Sequence, residues 1–222
     1  MKPTDLKCPF KWKERQPCLE GGVLFVPIYY FEHQAFILPP FNSLFGREAP
    51  TFIEYCSGNG DWVVAQAEEN PDQNWIAVEK RFDRVRKIWS KRENKNLKNL
   101  LIVSGEAHTF SQFYLPPTSL SGIYINFPDP WPKGKHSKHR LFHPQFVEEL
   151  ARTSKPSTKL TMVSDDPIWV ERTTRAISEN PCFHHPLLQT EHPQYQVASF
   201  FQKLWTDKGK TIHYLIFTRN PS

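Results

Sequence analysis

The chain has 222 residues, 28 Lys and Arg against 23 Asp and Glu, and a hydrophobic fraction of 39%, ordinary values for a globular protein with room for a sizeable core. Its pI near 9.0, with the positive charge locally clustered, favours a polyanionic partner. The longest apolar run, VLFVPIYYF, is far short of the roughly 20 residues of a membrane span, the first twenty residues are too charged for a secretory leader, and Cys8, Cys18, Cys56 and Cys182 make no CxxC pair, so a cytoplasmic protein with reduced thiols and no metal is expected.

Residues 1–50 are rich in proline and aromatic residues (VPIYYF, ILPPF) and show no helical period. They read as an N-terminal extension packing on a main domain of residues 51–222. From TFIEYC, at 51–56, strands and helices alternate. GDWVVAQAEENP reads as a helix stopped at Asn70-Pro71, NWIAVE as a strand, and RFDRVRKIWSKRENK as a charged helix. NLLIVSG and SGIYINF are two further strands, HPQFVEELART a helix, and TKLTMVS a strand. PIWVERTTRAISEN is a helix with Pro167 at a favoured early position, and KTIHYLIFTR closes the chain as a strand. This alternation predicts an α/β fold with a mostly parallel central sheet and helices on both faces.

The first strand runs into a turn, CSGNGD, where Gly58 and Gly60 allow close backbone approach to a ligand. Position 63 is valine, so the GxGxxG pattern of a dinucleotide site is missing. Four acids fall in or just beyond successive strands: Glu54, Glu79, Glu106 and Asp129. Glu79 closes its strand, where an acid can accept both ribose hydroxyls, and Glu106 is placed to accept from an adenine amino group. Acids at this many strand ends suit a ligand carrying a sulfonium, an amine and hydroxyls but no phosphate. S-adenosylmethionine is that ligand.

After the fourth of these strands comes INFPDPWPKGKHSKHR, in which Asp129 is held between prolines and followed by Lys133, Lys135, Lys138 and Arg140. The basic ribbon suits RNA phosphates, giving affinity without reading sequence. Trp131 reads as packing under the loop or as a surface for a base.

NFPDPWPK with its basic run and RLFHPQF, together with SDDPIWVE and SFFQKLW, resembles the tRNA (guanine-N7)-methyltransferase family over residues 51–219. The family's bacterial enzymes methylate a guanine in the tRNA variable loop. The resemblance implies a Rossmann-like class I methyltransferase fold, S-adenosylmethionine as cofactor and tRNA as partner. It implies no obligate protein partner, and a monomer or homodimer. It places Glu54, Glu79, Glu106 and Asp129 at cofactor positions, and Lys133, Asp165 and the Ser199–Gln202 segment at substrate positions. Three residues depart from the family pattern: Cys56 stands at its first turn glycine, Ser199 at its Thr, and Gln202 at its Glu.

Guanine N7 has an in-plane lone pair and no proton, so its methylation needs orientation more than a general base. Positive charge passes to the purine during transfer, so a carboxylate at the acceptor helps and a lysine in contact opposes. Asp129 is the candidate for organising donor and acceptor. Three alternatives stay open on the residues alone. An amino-group methyltransferase acting on nucleic acid would carry an Asn/Asp-Pro-Pro-Tyr loop in place of NFPDPW. A non-catalytic RNA-binding relative would bind cofactor without transferring methyl. A small-molecule methyltransferase would have no use for the basic ribbon.

Overall fold

The structure, a computed structural model, describes residues 1–128, 141–191 and 200–221. Asp129, Lys133, Lys135, Lys138, Arg140 and Ser199 lie outside the described residues. By its internal contacts the chain divides into two compact units, Met1–Leu115 and Pro116–Ser222.

The first unit is built on β1 (Cys18–Glu20), β2 (Val23–Phe25), β3 (Thr51–Tyr55), β4 (Asn74–Glu79) and β5 (Leu100–Ser104). They lie in the order β1-β2-β5-β4-β3. All neighbours are parallel except the β1–β2 hairpin, whose turn carries Gly21 and Gly22. Every residue of β4 is buried, and its apolar run is that of a strand covered on both faces. Trp75 of β4 stacks on Phe52 of β3 at 5.0 Å and meets the edge of Trp62 at 5.7 Å.

Helices α2 (Asp61–Glu69), α3 (Phe82–Asn94) and α4 (Ala107–Tyr114) follow β3, β4 and β5 in turn; the short α1 (Phe41–Phe45) precedes β3. α2 packs on β4, and α3 packs on β4, β5 and α2. Val85, Ile88 and Trp89 supply the buried stripe of α3 at the three- and four-residue spacing of an amphipathic helix.

The sequence reading assigned no element to residues 1–50, yet Val23–Phe25 forms a strand alongside β5. The segment is also held at its start: Ser90 Oγ donates to Met1 O at 2.8 Å and Arg86 Nε to Leu6 O at 3.0 Å. Further along, buried His33 shares a 2.6 Å hydrogen bond with the Tyr114 hydroxyl and stacks on Phe113. Burial lowers the His33 pKa and raises that of Tyr114.

The second unit contains β6 (Leu120–Asn126), α5 (Pro144–Thr153), β7 (Ser154–Ser164), α6 (Pro167–Ser178), β8 (Leu187–Gln189), α7 (Phe200–Asp207) and β9 (His213–Thr218). The strand order is β6-β7-β9-β8, with β6–β7 parallel and both pairings of β9 antiparallel. The α/β class and the mostly parallel pairing expected from the sequence are both observed. Among the described residues no helix is long and apolar enough to cross a membrane, and no cluster of three His, Cys, Asp or Glu side chains forms a metal site.

Candidate active site

The turn after β3 is made from left-handed residues. Cys56, Gly58 and Gly60 have φ of 60°, 55° and 76°. At Gly60 two reasons for glycine coincide, because an added Cβ would also stand 2.6 Å from Ile88 Cγ1 on α3. Cys56 carries a Cβ in a region that costs an L-residue about 1–2 kcal/mol, so a glycine there relieves steric strain. The turn is closed by backbone bonds from Gly60 N–H to Ser57 O (2.8 Å) and from Ser57 N–H to Val78 O (3.1 Å).

Glu79, the last residue of β4, seats this turn. Its Oε2 accepts from Gly58 N–H at 2.9 Å and its Oε1 from Arg81 N–H at 2.8 Å. The Arg84 guanidinium lies 3.8 Å from Oε2. Glu79 is only 5% exposed, and that burial raises its carboxyl above the usual carboxylate value; the Arg81 N–H, the Arg84 charge and the Gly58 N–H pull the other way. Two ionised oxygens offer about four lone pairs, so the N–H groups of Gly58 and Arg81, with a further contribution from Lys80, leave acceptor capacity for a ligand.

The registers place the rest. Tyr55 lies opposite Val78, and Glu79 opposite Ser104. The turn at 56–60, Glu79, and the Gly105-Glu106 step after β5 therefore leave the same end of three adjacent parallel strands. Ligands of open α/β sheets bind at these carboxyl ends. Glu106 is the N-cap residue of α4, is exposed, and makes no side-chain cap bond, so its carboxylate is available. Glu54 sits earlier on β3, 2% exposed, and its backbone carbonyl accepts from Ser57 Oγ at 2.9 Å. Of the sequence-predicted cofactor residues, Gly58 and Glu79 are thus in direct contact, and Gly60 and Glu106 flank them.

In the second unit, Phe127 follows β6 with φ of 50° and its N–H donates to Val163 O at 2.9 Å. Phe127 and Trp205 pack on a cluster of Val163, Ile212 and Tyr214, and the Phe127 and Phe201 rings are 6.2 Å apart. α7 is thereby held at the end of β6, and half-buried Gln202 is carried on it. Asp165, just past β7, is paired with Lys210, whose ammonium lies 4.2 Å from the centre of the Trp205 ring. The adjacent acid is different: Asp166 caps α6, its Oδ1 accepting from Ile168 N–H (2.9 Å) and Trp169 N–H (3.3 Å). The structure so gathers Asp165 and the Gln202 helix at the strand end that precedes Asp129 in the chain.

Sequence reasoning missed Arg84 and Lys210, which balance the charges of Glu79 and Asp165. Neither has a local signature, since each pairing depends on how helices and strand ends are packed. The cap at Asp166 did have a signal, the proline that follows it.

A family model described as "Putative methyltransferase" matches residues 48–215. A tRNA (guanine-N(7)-)-methyltransferase of Chlamydia pneumoniae is 46% identical over 225 residues, covering 99% of this chain and 98% of the relative. The chain belongs to the tRNA (guanine-N7)-methyltransferase family. Membership extends to distant relatives of that name, such as the Nitrosomonas europaea protein, 33% identical with 80% of each chain covered. Among solved structures, a 16S rRNA methyltransferase, KamB, aligns with a TM-score of 0.60 at 16% identity, covering 82% of this chain and 93% of that one. At that identity the likeness concerns the fold, which this family member shares with class I methyltransferases.

Proposed function

We propose that this protein transfers a methyl group from S-adenosylmethionine to N7 of a guanine in tRNA, in the variable loop. The observation that carries this reading is the 46% identity over 99% of the chain to an enzyme of that name. The geometry supports it, because the glycine turn, Glu79 and Glu106 meet at the carboxyl ends of β3, β4 and β5. The donor chemistry fits as well: Glu79 keeps acceptor capacity, the Glu106 carboxylate is available, and Gly60 takes the left-handed φ of the turn where it packs on Ile88.

In this reading Glu79 holds the ribose hydroxyls, Glu106 the adenine amino group, Gly58 and Gly60 let the backbone approach, and Glu54 and Asp129 complete the cofactor positions. The bound cofactor supplies an electrophilic methyl on a sulfonium. Asp129 orients the reacting groups and offsets the positive charge that develops on the purine. Lys133, Asp165, Ser199 and Gln202 hold the substrate, while Lys135, Lys138 and Arg140 bind phosphates. Lys210 holds Asp165 in place through their ion pair.

Residues 51–222 form the methyltransferase domain in this account, with residues 1–50 an extension that adds β1 and β2 to its sheet; the family match beginning at residue 48 supports that boundary. The protein works in the cytoplasm as a monomer or homodimer, without an obligate protein partner. The test is to incubate it with methyl-labelled S-adenosylmethionine and unmodified tRNA, then digest the RNA. Label in 7-methylguanosine, absent with Asp129→Ala, is the expected result. Label in another nucleoside, or none, overturns the reading.

A further inference from the structure

Several large apolar side chains stand exposed in the N-terminal segment. Trp12 is 58% exposed, Tyr29 72% and Phe31 87%. Trp12 and Tyr29 are not loose. Arg15 binds both of their loops, donating from Nη1 to Trp12 O at 2.7 Å, from Nε to Ile28 O at 3.1 Å, and from Nη2 to Tyr29 O at 2.7 Å. The same guanidinium lies 4.2 Å from the Trp12 ring centre, and the Trp12 and Tyr29 rings meet edge to face at 6.3 Å. Tyr29 has a φ of 53°, a conformation that an aromatic residue keeps only where its surroundings impose it.

The position of this pair is informative. Phe25, which ends β2, lies opposite Ser104, and Ser104 lies opposite Glu79. Tyr29 is four residues beyond Phe25, within about 14 Å of chain. Phe10 packs on Phe25 at 6.2 Å, and Phe25 on Phe82 at 6.1 Å, three residues past Glu79. The two rings therefore belong to the strand edge that carries the cofactor acids. Between positions 7 and 15 the chain carries Lys7, Lys11, Lys13 and Arg15 against one acid, Glu14, while Glu32 lies three residues past Tyr29. Lys7, Lys11 and Lys13 are exposed and have no ion-pair partner among the described residues.

We propose that Trp12 and Tyr29 form a stacking platform for an unpaired base of the RNA substrate. This rests on the tRNA reading above. Exposed aromatic rings framed by lysines are the usual surface for single-stranded nucleic acid, because every base has a π-face and every linkage a phosphate. Trp, Tyr and Arg also favour protein interfaces, but the three lysines beside the rings, a residue type those interfaces deplete, favour RNA phosphates. Arg15 has the role of a positioning residue that fixes the spacing of the two rings.

The test compares wild type with Trp12→Ala/Tyr29→Ala in tRNA methylation kinetics, with cofactor affinity and thermal melting as controls. Both side chains are largely outside the core, so the variant folds. The expected result is a KM for tRNA raised about 10- to 100-fold, the loss that removing a stacked base produces, at unchanged cofactor affinity. Trp12→Phe should keep most of the affinity. In parallel, an unstructured RNA oligomer should quench tryptophan fluorescence in wild type, and Trp12→Phe should remove the share of that quenching that Trp12 supplies while binding persists.

A folded double variant with wild-type KM overturns the platform, and so does loss of self-association at unchanged tRNA affinity, which would assign the patch to a second copy. If wild type transfers no methyl to tRNA but the oligomer still quenches Trp12, the proposed function fails, and the two rings stand as an RNA-stacking surface without that substrate.

Discussion

Replacing Glu79 by Gln tests the central contact of the candidate site. The carboxylate accepts from Gly58 N–H at 2.9 Å and Arg81 N–H at 2.8 Å. A glutamine has one acceptor oxygen, and its NH₂ must face the other N–H, donor against donor. One charge-assisted bond is lost outright, and the remaining one becomes neutral. The same change removes a charge that burial disfavours, so the effects on stability partly cancel and net to about 1 kcal/mol or less. Cofactor binding has no such compensation. Losing a charged acceptor for the ribose hydroxyls costs about 1.5–3 kcal/mol, which is about 10- to 150-fold in Kd. Calorimetric titration of wild type and Glu79→Gln with S-adenosylmethionine, beside melting curves of both, measures the two quantities separately. A folded variant that binds within twofold of wild type refutes the assignment of Glu79 to the cofactor.

The raised pKa of Glu79 sets two opposite pH responses. Its contribution to stability is fully present below the ordinary value of 4.5 and is lost as pH rises through the raised folded value, whereas cofactor affinity should rise over the same window; an unchanged profile in Glu79→Gln would remove Glu79 as the cause. Gly60→Ala should lower stability by about 2–4 kcal/mol, from a strained φ of 76° and a Cβ 2.6 Å from Ile88, as read by urea denaturation. Gln202→Glu should raise kcat/KM on tRNA by about 5- to 100-fold if this residue reads the guanine N1–H and N2–H edge, because a carboxylate accepts from both donors; single-turnover rates on one unmodified tRNA decide it, and an equal or slower rate counts against edge reading. Replacing Lys135, Lys138 and Arg140 together by Ser should weaken tRNA binding and reduce the slope of log affinity against log salt by about 3, and a slope that stays put would exclude these side chains from phosphate contact.

The elements legible in the sequence are those whose physics is local. β3 to β7, β9 and α2, α3, α5 and α6 each carry a buried apolar run or a helical stripe, and Pro167 marks the start of α6. β2 was hidden because Val23–Phe25 lies within an apolar stretch broken by Pro27, and its three residues gain strand character only from pairing with β5. α4 went unassigned, with its buried Phe110, Ser111 and Tyr114 too few for a clear period. α7, at eight residues, is likewise too short to show a helical period.

At the site, the residue types were legible and their relations were not. Nothing local in the sequence announces that Glu79 accepts from Gly58, since the bond exists only because β4 ends beside the turn after β3. Asp165 and Asp166 are neighbours of equal charge, yet one caps a helix while the other is balanced by Lys210, 45 positions away.

The parallel pairing of β2 with β5 has a consequence for the chain's early life. Val23 pairs at once with Glu20 in the β1–β2 hairpin, but its other edge must wait for Ile102 to be synthesised. Until then the ribosome releases a segment of exposed rings beside an incomplete sheet, and non-local pairing of this kind slows folding. A fragment trimmed to the family match at residue 48 would bare the β5 edge permanently, with Leu101 to Val103 offering unpaired backbone groups to any passing strand. Such a fragment should aggregate on expression, while the full chain remains dispersed.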